Sequence, residues 1–106
     1  QSYVEETLKY IENNYYHTCN IQDIADTLNL ERTYLYRLFK NKTGFSMQEY
    51  LIDYRIRKAC DLLRKSTLLI SDIARSVGYE DSLYFSKLVK AKKGTTPSFY
   101  RKQLSL

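Results

Sequence analysis

An all-α fold of seven helices, two helix-turn-helix units joined by a long helix, is what this 106-residue sequence predicts. Three observations carry that expectation. The composition, 43% hydrophobic with three Gly and one Pro, suits packed helices rather than disorder or loop-rich β structure. Apolar residues recur at helical spacing along most of the chain. Residues 20–50 also reappear, diverged but legible, in residues 69–100. Ile21, Asp23, Ile24 and Ala25 find identical residues 49 positions later, while Leu38, Lys40, Lys42, Gly44 and Tyr50 find theirs at an offset of 50. One residue has therefore been inserted between the two helices of the second copy. Two copies are too few for a solenoid and imply a small recognition module used twice on one chain.

The elements follow in order. Val4, Leu8, Ile11 and Tyr15 share one helical face, and Ser2 with Glu5 stands as a capping box, so a first helix runs to about Asn14. Asn20 is an N-cap for a short helix over 21–28, whose stripe is Ile21, Ile24, Ala25 and Leu28. Asn29, Leu30 and Glu31 form the turn. A third helix over 32–42 buries Leu35, Leu38 and Phe39 and stops at Gly44. This is the helix-turn-helix pattern. Residues 46–64 contain no helix breaker and carry apolar residues on several faces, which predicts a strut of ~28 Å. The pattern then repeats with a helix over 70–77, a turn at 78–80 and a helix over 81–93, and Pro97 opens a last short helix. The expected organisation is one domain, 1–106, with a first helix-turn-helix subdomain over 1–45, a linker helix over 46–64 and a second subdomain over 65–106.

The formal charge of +5 hides an asymmetry. Residues 1–31 carry one cation, Lys9, against six acids, whereas residues 32–106 carry 16 cations against six acids, a balance of +10. The excess of positive charge falls where the repeated helices lie, which points to a polyanionic partner. Cys19 and Cys60 lack the close spacing of metal ligands and read as reduced thiols, Cys60 as a core residue. No apolar stretch approaches the ~20 residues that span a bilayer. No signal-peptide pattern opens the chain, so a cytoplasmic location without membrane association is expected. The start at Gln1, without Met, is expected to make this a piece of a longer polypeptide.

The run I-S-D-I-A-R-S-V-G-Y-E-D-S-L-Y-F-S-K from Ile70 and the closing G-T-T-P-S-F-Y-R from Gly94 to Arg101 resemble the DNA-binding domain of AraC/XylS-family bacterial transcription regulators. R-I-R-K-A-C-D-L-L from Arg55 is similar to that family's linker helix. The many tyrosines and Y-L-Y-R-L-F-K-N-K-T-G from Tyr34 look closest to members from low-GC Gram-positive bacteria, including those with a receiver domain upstream. Four residues depart from the family's pattern. Glu31 and Leu69 replace the Ser cap that many members have, and Val89 and Lys93 stand where aromatics are common, so a looser second unit is expected.

The resemblance implies sequence-specific binding of double-stranded DNA, with a recognition helix from each unit entering one of two successive major grooves. Thr33, Tyr36 and Arg37 on the third helix align with base-reading residues of the family. Arg37 suits guanine O6 and N7 through its planar fork, and Tyr36 offers a hydroxyl and a ring edge. On the sixth helix Ser82, Leu83, Ser86 and Lys87 are the expected counterparts, Leu83 against a thymine methyl and Lys87 in register with Arg37. Leu83 also fits ordinary core packing. Arg32, Lys40, Arg55, Lys90 and Lys92 are expected phosphate contacts, although a run of charge equally describes a solvated face.

No catalytic residue, metal site or cofactor is expected. His17 is the only histidine and has no nucleophile or carboxylate pair placed around it by spacing. Gly44, Gly78 and Gly94 are isolated turn glycines rather than a phosphate cradle. The eleven tyrosines are expected mostly to pack between helices, with Tyr36 the main exception. The expected partners are duplex DNA, RNA polymerase, and an upstream sensor or receiver domain. A protein-interaction module of the same fold that has lost DNA binding is the competing reading.

Overall fold

The computed structural model describes residues 2–104. Seven helices and no strand occur among them: α1 Tyr3–Asn14, α2 Ile21–Thr27, α3 Arg32–Thr43, α4 Met47–Lys65, α5 Ile70–Ser76, α6 Ser82–Lys93 and α7 Pro97–Leu104. The chain divides into two compact units, Gln1–Tyr54 and Arg55–Leu106, with α4 contributing residues to both.

In the first unit, Ser2 caps α1 by accepting from the Val4 and Glu5 amides. Asn20 caps α2 by accepting from the Asp23 amide. The α2–α3 turn closes by matched bonds: the Asn29 N–H donates to the Asp26 carbonyl and the Leu30 N–H to the Ala25 carbonyl at 2.8 Å. Asn29 sits at φ 57°, a left-handed conformation Asn tolerates. The turn lays α2 across α3, and Val4, Ile11, Ile24, Ala25, Leu35, Phe39 and Met47 form one buried cluster. Phe39, Tyr50, Tyr54 and Tyr15 extend it as a chain of ring contacts, with centroids 5.8, 6.4 and 5.1 Å apart in succession.

The second unit repeats the turn and locates the insertion. The Gly78 N–H donates to the Arg75 carbonyl and the Tyr79 N–H to the Ala74 carbonyl at 2.9 Å, each bond shifted by 49 residues from its counterpart. Gly78 takes φ 103°, beyond the left-handed region open to Asn29, so a side chain there is strained. The extra residue is Glu80, exposed between the closed turn and the α6 cap Asp81. Glu31 and Leu69 give no side-chain cap, yet α3 and α5 still begin at Arg32 and Ile70. Packing rather than capping therefore sets those starts. The core here is Ile56, Ala59, Cys60, Leu63, Ile73, Ala74, Val77, Tyr79, Phe85 and Val89.

The change at Val89 is answered within the same helix. Unit 1 buries Leu35 and Phe39, whereas unit 2 buries Phe85 and Val89 at the matching positions, all four without exposed surface. The aromatic has moved one turn along the helix, which largely conserves core volume.

Candidate nucleic-acid interface

Burial of Leu35 and Phe39, with Leu38 half-buried, decides which face of α3 is left over. Arg32, Thr33, Tyr36, Arg37 and Lys40 are all exposed. Spacings of three and four residues put Thr33, Tyr36, Arg37 and Lys40 along one stripe. Lys40 Nζ lies 3.8 Å from Glu49 Oε1. That carboxylate is itself held: Glu49 Oε1 accepts from the Ser46 N–H at 2.8 Å, and Ser46 Oγ accepts from the Glu49 N–H at 3.1 Å. A reciprocal capping box at the start of α4 thus places an acid beside the last turn of α3.

On α6, Asp81 accepts from the Leu83 and Tyr84 amides at 3.0 and 3.2 Å, and Phe85 and Val89 turn inward. Leu83 is 66% exposed, which excludes the core-packing alternative for that residue. Lys87, Lys90 and Lys92 are exposed as well. Ser82 and Ser86 are half-buried, since they flank the inward face set by Phe85 and Val89, and so are less outward than expected. Arg55 is also half-buried: its guanidinium lies 5.1 Å from the Tyr79 ring centroid, a cation–π seat within the second unit.

The tyrosines are the clearest correction. Tyr3, Tyr16, Tyr34 and Tyr84 join Tyr36 among the exposed large side chains. Tyr34 and Tyr84 occupy the same position in the two copies and are 47% and 48% exposed. Their identity at an offset of 50 was the available signal. Tyr84 rests edge-on against Tyr79, 5.9 Å between centroids, and so keeps its outer edge on the α6 surface.

The charge is disposed as the composition suggests. Glu5, Glu12, Asp23, Asp26 and Glu31 are exposed on or beside α1 and α2, whereas exposed cations mark α3 and α6. Groups of three or more His, Cys, Asp or Glu able to hold a metal ion do not occur among the described residues. No helix there is long and apolar enough to cross a membrane.

A buried inner face, a tight closed turn and an exposed cationic second helix, present twice, define a helix-turn-helix protein. Residues 24–103 match a family model described as a helix-turn-helix domain. Along 98% of its length the chain is 39% identical to the Msm operon regulatory protein of Streptococcus mutans, and along 93% it is 40% identical to the raffinose operon transcriptional regulatory protein RafR of Pediococcus pentosaceus. It spans 37% and 36% of those two proteins. Among solved structures, the C-terminal domain of AraT, a response regulator from Geobacillus stearothermophilus, superposes with a TM-score of 0.94 at 32% identity, covering 97% of this chain and 86% of that one. The chain belongs to this helix-turn-helix family, the DNA-binding domain type of AraC/XylS regulators.

Proposed function

We propose that this chain is the output domain of a bacterial transcription regulator and binds double-stranded DNA sequence-specifically, with α3 and α6 each entering a major groove. One observation carries the reading. Arg37 and Lys87 occupy the same position in the two copies, and both are exposed on helices whose opposite faces are buried. Thr33, Tyr36 and Arg37 read one half-site, and Leu83 and Lys87 the other, with Ser82 and Ser86 at the rim of that surface. Arg32, Lys40, Lys90 and Lys92 hold phosphates, and Arg55 does so from its seat on Tyr79. Because the two reading surfaces differ in chemistry, the two half-sites differ in sequence and the whole site is not a palindrome.

In the full-length protein this role calls for an upstream sensor or receiver domain, contact with RNA polymerase and a cytoplasmic location. Recognition is the whole of its chemistry, with no catalytic step and no cofactor. The test is a polarisation titration of a labelled duplex selected from random sequence, at several salt concentrations. A log–log slope of about −4 to −8 is expected, for roughly five to nine neutralised phosphates. A salt-indifferent affinity, or equal affinity for selected and random duplexes, would instead favour a protein-interaction module.

A further inference from the structure

The first unit holds a cleft of about 530 Å³ beside its reading helix, within the range of small-molecule sites. Its floor is aliphatic, made by Ile21, Ile24, Met47 and Leu51 from α2 and α4. Its rim carries Arg32, Thr33 and Tyr36 from the start of α3.

The second unit differs at one position that lines this cleft. The position of Leu51 is taken there by Arg101, whose Nε donates to the Leu63 carbonyl at 3.2 Å and whose Nη1 donates to the Leu68 carbonyl at 2.7 Å. Leu68 is the counterpart of Cys19, which lines the cleft of the first unit. A guanidinium therefore reaches across the second unit where, in the first, a leucine cannot. Leu51 keeps that part of the lining apolar, and Arg32 is the one cationic side chain among the lining residues.

We propose that this cleft binds an amphipathic organic anion, with an apolar body on the aliphatic floor and a carboxylate on the Arg32 guanidinium. The floor selects for hydrocarbon by area removed from water, and the single rim cation selects for negative charge. Arg32 is exposed at the first position of α3, where the helix amides add to the positive field at the rim and the exposed Glu31 beside it opposes that field in part. Occupancy also has a regulatory consequence, which rests on the DNA-reading role proposed above. Arg32, Thr33 and Tyr36 belong to both surfaces, so a seated anion neutralises a phosphate contact and crowds two reading residues.

The probe is 4-phenylbutyrate, with the uncharged 4-phenylbutanol as control, titrated into the 106-residue protein and followed by methyl and amide NMR shifts. Saturable shifts at Ile21, Ile24, Met47 and Leu51 are expected, with the acid binding about tenfold more tightly than the alcohol. Arg32→Gln, a change at an exposed side chain, should erase that tenfold advantage while leaving alcohol binding intact. Leu51→Arg should block both probes by copying the residue of the second unit. Shifts scattered outside the cleft, equal affinities for acid and alcohol, or an unchanged preference in Arg32→Gln would overturn the assignment. DNA affinity is measured separately, with and without saturating 4-phenylbutyrate, and a severalfold loss is expected. An unaltered DNA affinity refutes the regulatory consequence alone, and a protein that binds no duplex even without probe refutes the DNA-reading role, while the cleft is judged on the shifts.

Discussion

Replacing Glu49 by Gln should make DNA binding tighter, an unusual direction for a substitution beside a reading helix. The wild-type carboxylate sits 3.8 Å from Lys40 Nζ, with the two side chains 58% and 48% exposed, and it also accepts the Ser46 N–H. An exposed pair of this kind is worth only about 0.2–1 kcal/mol, but Lys40 gives it up whenever it turns to a phosphate. Glutamine keeps an oxygen for the Ser46 N–H, so the start of α4 stays capped, and it removes a negative charge that opposes the duplex. The gain is then about 0.5–1 kcal/mol, a two- to fivefold lower Kd at moderate salt. The log–log salt slope should steepen by roughly one as Lys40 is released to a phosphate. Polarisation titrations of wild type and Glu49→Gln on the same duplex, with circular dichroism melts to check the fold, measure this directly. Equal or weaker binding by a normally folded variant would mean that Lys40 does not face the DNA backbone.

Three further outcomes are expected. Arg37→Ala should cost ~1–3 kcal/mol on the selected site and relax base preference in one half of it, whereas Lys90→Ala should weaken all sequences alike; competition with single-base variants separates the two. Arg101→Leu, which places the first unit's residue in the second, removes both of its bonds to backbone carbonyls and should lower stability by about 1–3 kcal/mol in urea unfolding, and a loss below ~0.5 kcal/mol would show that the clamp is ornamental. Burial, partly opposed by the Tyr100 hydroxyl, pushes the Cys60 thiol up from its ordinary 9.0, so Cys19 should react quickly with a thiol reagent near neutral pH and Cys60 slowly. Because folding holds the Cys60 proton more tightly, its contribution to stability is complete below that ordinary value and is lost as pH rises past it toward the folded value. Alanine at Cys60 should flatten that alkaline decline in a pH series of melts.

The sequence by itself determined the seven helices to within about a residue or two at their ends. Periodicity, Ser2, Asn20 and the turn residues act locally, and the offsets of 49 and 50 by themselves place an insertion in the second turn. It also determined which side of α3 and α6 is apolar, since Leu35, Phe39, Phe85 and Val89 can serve only as core. Tertiary structure decided what local rules cannot carry. Leu83 fits a core or a surface equally well by spacing, and only the packing of α6 shows it 66% exposed. Ser82 and Ser86 lost part of their exposure and Tyr34 gained its own for the same reason, because helical spacing gives a residue's angle on the helix but not how far the neighbouring elements reach around it. The Lys40–Glu49 pair and the bonds of Arg101 to Leu63 and Leu68 join residues 9, 38 and 33 positions apart. Contacts of that kind leave no periodic trace, so the Lys40–Glu49 pair and the reach of Arg101 appear only once the chain is folded.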